Sequence, residues 1–147
     1  MRLIGYWMES LQDESLPPPQ ELVSDYEPEV RERIAAYLND GAEYVQKIGF
    51  SRCRFSCGYV TVPAELTDGE WVWPRELGHY VIQHNIRMPD EFIFRVLSGV
   101  KPNYDARTAE APEANDTSFW EIWCKQHRSN AFKDRIEVAR AIEDQEV

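Results

Sequence analysis

Apolar positions change their period several times along the chain, and each change marks an element. Residues 1–7, MRLIGYW, form a short apolar run and read as a strand. Residues 9–28 turn polar and proline-rich, with Pro17, Pro18 and Pro19 in succession. Consecutive prolines lack amide donors, so a proline-rich surface loop is expected near 12–28. Val30, Ile34, Tyr37 and Leu38 then recur at helical spacing. Pro28 suits the first turn of that helix, Glu27 and Glu29 suit its positive end, and Gly41 suits its C′ position. The stripe is expected to pack into the core.

From Glu43 to Val62 the pattern shortens to strand-like runs, EYVQKIGF, RCRF and YVTV, punctuated by Gly49 and Gly58. Asp68-Gly69 signals a turn, and Trp71-Val72-Trp73 reads as a last short strand. Pro74 is expected to open a second helix, PRELGHYVIQH, with Leu77, Tyr80, Val81 and His84 on one face. Pro89 starts a third, with Phe92, Ile93, Val96 and Leu97 as its buried stripe. Residues 101–116 carry few large apolar groups and read as a long polar loop. Ser118 and Glu121 have the spacing of a capping box. The helix they open begins with Phe119, Trp120, Ile122, Trp123 and Cys124. A divide is expected at Ser129-Asn130, and Phe132, Ile136, Ala139 and Ile142 continue the stripe. The expected fold is α+β, a small antiparallel meander with three to four helices packed on it, in a single domain spanning 1–147.

Composition adds limits. A chain of 147 residues with 43% hydrophobic and 12% aromatic content can bury a core without disulfides or metal. Twenty-six acidic residues against 16 basic ones leave a net charge of -10. That balance repels nucleic-acid phosphates and anionic membrane surfaces, and it steers basic proteins inward. No stretch reaches the roughly 20 apolar residues of a membrane span, and the first residues lack a signal-peptide pattern. Three cysteines, an odd number, do not make a disulfide framework, so a reducing cytoplasm is the expected compartment.

The candidate chemistry concentrates between Ser51 and Phe92. Cys53 and Cys57 are separated by three residues, and Cys124 and His127 by two. Together these four would supply three thiolates and an imidazole, an allowed structural zinc set. The plainer reading makes the cysteines small buried hydrophobes. His79 and His84 stand five apart, which puts them on different helix faces, whereas a metal pair prefers four. His84 also sits where a helix C-terminus favours a protonated imidazole. Cys53 lies between Arg52 and Arg54 and could act as a nucleophile with His79 or His84 as base, but no nucleophile signature accompanies it. Asp68 with Glu70 and Asp90 with Glu91 are ordinary turn and helix-start acids. No catalytic residue is assigned. Trp71, Trp73, Arg75, Tyr80 and Arg87 are the residue types of binding hot spots, with core packing as the competing reading of the tryptophans.

The strings SRCRFSCG and ELTDGEWVWPRELGHYVIQHNIRMPDEF resemble a family of small uncharacterised bacterial proteins. Its pattern is Cys-Arg-x-x-Cys-Gly, Leu-Thr-Asp-Gly, Trp-Pro, His-Tyr-Val, a second His and Pro-x-x-Phe. Here those positions are Cys53, Arg54, Cys57 and Gly58; Leu66 to Gly69; Trp73 and Pro74; His79 to Val81; His84; and Met88, where the pattern has Leu, with Pro89 and Phe92. The pattern has an acidic residue after the Pro, often followed by Gly, where this chain has Arg75 and Glu76. The resemblance implies a bacterial cytosolic protein and no activity. The expected function is a non-enzymatic binding protein, of the kind exemplified by immunity-type inhibitors, that occludes a basic partner protein and needs no cofactor. The alternative is an enzyme or zinc-binding domain using Cys53, Cys57, His79 and His84.

Overall fold

The computed structural model describes residues 1–9, 15–105 and 115–129. In chain order the elements are β1 (Arg2–Leu3), a 3₁₀ turn (Pro19–Leu22), α1 (Pro28–Asn39), β2 (Ala42–Gln46), β3 (Ser51–Arg52), β4 (Val60–Thr61), β5 (Ala64–Thr67), β6 (Trp71–Pro74), α2 (Leu77–His84), α3 (Asp90–Leu97) and α4 (Ser118–His127). The fold is α+β, as the pattern predicts. The expected helical stripe from Phe132 to Ile142 lies outside the described residues. No helix among those described is long and apolar enough to cross a membrane.

The main sheet has the order β1-β6-β5-β2, and β3 pairs with β4 in a separate two-stranded ribbon. The sheet is mixed, because β1 runs parallel to β6 while β2–β5 and β5–β6 are antiparallel. β5 has no counterpart among the expected elements. Ala64, Leu66 and Thr67 are buried, yet AELT is too short and too mixed to announce a strand. Its pairing with β2 and β6 makes it one.

β6 is the centre of the core. Trp71, Val72 and Trp73 are all fully buried, so the strand is covered on both faces instead of alternating in and out. Trp73 donates its indole N–H to the Leu38 carbonyl of α1 at 3.0 Å. Phe92 of α3 meets the edges of both tryptophans. Pro74 belongs to this strand and does not open α2. It lies opposite Glu65, and Arg75 N–H then donates to the Ala64 carbonyl, so the ladder continues through the residues that sequence alone gives to the helix. α2 starts at Leu77 and packs on α1. Gly78 permits the close approach, since a Cβ there would collide with the Asn39 side chain and lie 3.4 Å from the Ala35 carbonyl oxygen.

Other expectations are corrected locally. The proline-rich segment is not merely a surface connection. Its 3₁₀ turn buries Leu22 and Glu21, and Glu21 pairs with Arg128 just after α4 at 2.6 Å. Leu97 and Ile122 are exposed, because the neighbouring elements cover only one side of α3 and α4. No capping box forms at α4. The Asp116 carboxylate accepts from the amide and the hydroxyl of Ser118 instead.

One buried polar centre ties the layers together. The Asp68 carboxylate caps the β5–β6 turn by accepting from the Glu70 and Trp71 amides at 2.9 and 2.8 Å. Its other oxygen accepts from the Tyr37 hydroxyl at 2.7 Å and from Arg95 Nε at 2.9 Å. Burial pushes the Tyr37 hydroxyl up to about 12, so it stays a donor across the neutral range. Asp68→Ala leaves two amides and a hydroxyl without their acceptor and removes one of the two carboxylates that pair with Arg95, the other being Glu70. It should lower the unfolding free energy by about 3–5 kcal/mol, read from urea denaturation midpoints. A loss below about 1 kcal/mol would show that this centre does not hold the layers.

Candidate metal centre

The segment between β3 and β4 folds back on itself. The Ser56 amide donates to the Cys53 carbonyl at 3.1 Å, and the Cys53 amide donates to the Tyr59 carbonyl at 3.1 Å. Ser56 and Gly58 take left-handed conformations, with φ of 56° and 91°. That reversal breaks the expected RCRF strand after Arg52 and brings Cys53 and Cys57 to one side of the turn. Tyr80 of α2 anchors the loop by accepting from the Arg54 amide at 2.9 Å. Gln20 donates to the Arg54 carbonyl at 2.7 Å, and the Arg54 side chain donates to the Met8 carbonyl. The loop is thus held against α2 from several directions.

It delivers both sulfurs to the two histidines of that helix. Cys53 Sγ lies 3.3 Å from His84 Nε2, and Cys57 Sγ lies 3.3 Å from His79 Nε2. One ligand atom from each of the four residues falls within 4.8 Å of all the others. These four side chains are close enough to hold a metal ion. Around a tetrahedral ion with ordinary zinc–sulfur and zinc–nitrogen bonds, sulfur and nitrogen would stand about 3.6 Å apart. The Cys–His distances are near that value.

The five-residue histidine spacing is not the obstacle it appears in the sequence. Five residues turn the helix by about 140° beyond a full revolution. The loop lies over the face between the two positions, above Tyr80, so each histidine leans inward from its own side. Their rings stand 5.1 Å apart and nearly perpendicular. Each is also flanked by an aromatic ring from the loop. Phe55 stacks on His84 at 4.1 Å and 5°, and Tyr59 stacks on His79 at 3.8 Å and 8°. The segment Cys53, Phe55, Cys57, Tyr59 alternates ligand and ring support. Sequence reasoning missed both aromatics, although that alternation is a visible signal. The separations Cys-x₃-Cys and His-x₄-His also fall inside known zinc-ligand ranges.

The structure does not bring Cys124 and His127 to this group. Cys124 is fully buried in the core, where desolvation pushes its thiol up. His127 contacts the Trp123 carbonyl through Nδ1 at 2.8 Å and stacks on the Trp123 ring. The expected recognition residues do not share one exposed surface. Trp71, Trp73 and Tyr80 are buried core residues and present no surface. Arg75 pairs with Glu43, and Arg87 faces Asp90 at 4.0 Å.

No family model, curated protein or solved structure matches the chain.

Burial sets the protonation of the site. Desolvation lowers the pKa of both histidines, and the neighbouring His84 adds to the effect on His79. Desolvation also pushes the Cys53 thiol up, opposed by the Phe55 amide that points at its sulfur. Without a cation the histidines are therefore neutral and ready to ligate, while Cys53 holds a proton that a metal ion must displace. Between the ordinary histidine range and the lower folded values, the unfolded chain binds more protons, so stability falls as pH drops through that window. An NMR titration of metal-free protein should place both imidazoles below the pKa of a histidine model peptide. Either ring titrating above it would contradict this account.

Proposed function

We propose that this chain is a zinc-binding domain in which Cys53, Cys57, His79 and His84 form a closed structural centre. The observation that carries the reading is the convergence of two sulfurs and two imidazole nitrogens on one point. Two thiolates and two neutral imidazoles balance the charge of a divalent zinc ion and complete its preferred four ligands. A mixed sulfur and nitrogen set does not suit calcium or magnesium, which take oxygen ligands. With all four positions supplied by the protein, nothing is left open for a substrate, which favours a structural role over catalysis.

The fold gives such a centre work to do. β3 and β4 pair over only two residues each, and the ribbon lies apart from the main sheet. A two-stranded ribbon of that size is marginal alone. Bonds from its connecting loop to α2 would staple it to the core. Phe55 and Tyr59 support the same end by holding the imidazole planes in place before the ion arrives. Protein purified without chelators should carry about one zinc per chain by elemental analysis, and Cys53→Ser or His84→Ala should lose it. Phe55→Ala and Tyr59→Ala should each weaken binding by about fivefold, the equivalent of about 1 kcal/mol of regained ring freedom, while Tyr59→Phe should not. Protein that folds metal-free and is unmoved by added zinc or cobalt would sink the proposal.

A partner-binding role rests on a separate observation. Val45, Ile48, Phe50, Val60 and Val62 are all exposed along β2, β4 and the segments beside β3. Ile48 is 103% exposed and Phe50 78%, and the two flank Gly49 in the connection between β2 and β3. Large exposed apolar side chains concentrated between residues 45 and 62 suit a protein contact site. The net charge of -10 favours a basic protein as the partner. A basic protein that co-purifies with the parent chain should be lost when Ile48 and Phe50 are both changed to Asp. Equal recovery with the double variant would count against this surface.

A further inference from the structure

We infer that Cys57 is a modification site for hydroperoxides, and that its oxidation closes a Cys53–Cys57 disulfide that dismantles the metal centre. The inference rests on the zinc reading of the four ligands and adds a regulated exit for the ion.

Three observations carry it. First, the two ligand cysteines differ in access. Cys57 is exposed, whereas Cys53 is 7% exposed beneath the loop. A peroxide reaches the outer sulfur first. Second, the resolving partner is already in place. The Cys53 and Cys57 sulfurs lie within 4.8 Å of each other on a turn closed by the Ser56 amide to Cys53 carbonyl hydrogen bond. A disulfide needs about 2.05 Å between sulfurs. The left-handed residues Ser56 and Gly58 sit on either side of Cys57 and fold the chain back so that both sulfurs lie on one side of the turn. Third, the remaining thiol cannot compete. Cys124 is fully buried in the tryptophan core and belongs to no part of the ligand group.

The chemistry closes without any further reactant. The Cys57 thiolate attacks the outer oxygen of a hydroperoxide. A sulfur–oxygen bond forms, the oxygen–oxygen bond breaks, and the alkoxide or hydroxide that leaves takes a proton from water. The Cys53 thiolate then attacks the sulfenic sulfur. A sulfur–sulfur bond forms and hydroxide departs, again taking a proton from water. Two electrons have passed from the sulfur pair to the peroxide. The ion keeps only His79 and His84 as ligands, and it dissociates. A thiol reductant reverses the disulfide and restores the four-ligand set.

The experiment uses the full chain in its metal-loaded form, exposed to hydrogen peroxide with a chromogenic zinc chelator present. The expected result is release of about one zinc per chain, together with a protein mass about 2 Da below that of the reduced, metal-free chain, since the disulfide lacks the two thiol hydrogens. Peptide mapping should find Cys53 joined to Cys57 with Cys124 still reduced, and reductant plus zinc should restore metal content. Cys124→Ser should respond as the parent does, which separates the effect from general oxidation. Metal-loaded protein that keeps both ligand thiols, or whose Cys57 is carried on to the sulfinic acid without a disulfide, would overturn this inference and leave the zinc reading standing. Protein that binds no zinc at all would overturn the zinc reading and this inference with it.

Discussion

The structure depends on a strand that has no solvent face. Trp71, Val72 and Trp73 are buried together, so β6 must be covered on both sides and paired along both edges. That requirement draws in the rest of the fold. β1 and β5 supply the pairing, α1 meets the indole of Trp73, and Phe92 of α3 packs against both tryptophan rings. The burial of large aromatic surface is the main driving term here, at about 25 cal/mol for each Å² removed from water. Asp68 belongs to the same constraint, since its carboxylate closes the turn entering β6 and joins that turn to α1 and α3.

β6 leads directly into α2, so the position of the tryptophans decides where His79 and His84 stand. Tyr80 links the two levels. Its ring is buried beside Trp7 in the core, and its hydroxyl holds the Arg54 amide in the cysteine loop. This side chain is thereby one of the contacts that hold the loop above the helix. The ligand group is a consequence of the core, because the same helix that packs on α1 turns its other side to the cysteines. Burial then lowers the histidine pKa values, so the fold favours the neutral form that a metal ion needs.

The two halves of the protein differ in how they are held. The main sheet and its helices share a continuous aromatic core. The β3–β4 ribbon has short pairing, exposed Val60 and exposed Phe50, and a loop fastened by a few hydrogen bonds and by Cys53, Phe55 and Tyr59 at the margin of the core. A region with few buried apolar contacts opens at lower free energy than the core does. The proposed metal ion would hold such a region without added apolar volume.

The α+β class, the approximate place of all four described helices, the Trp71–Trp73 strand and the turn at Asp68-Gly69 were legible in the sequence, while the burial of both tryptophans was one of two readings it left open. These follow from local rules, namely periodicity, proline and glycine placement and the solvation of apolar side chains. It also singled out Cys53, Cys57, His79 and His84 as one possible set, but it could not choose between that set and one completed by Cys124 and His127. The folded chain makes that choice. The choice depends on which face of α2 the cysteine loop covers, and that is fixed by contacts between residues more than 20 positions apart, such as Arg54 with Tyr80 and Gln20 with Arg54. The parallel pairing of β1 with β6 and the existence of β5 were hidden for the same reason, since a short strand is defined by its neighbours. Helical spacing made the two histidines look divergent, and a loop laid between them made them converge.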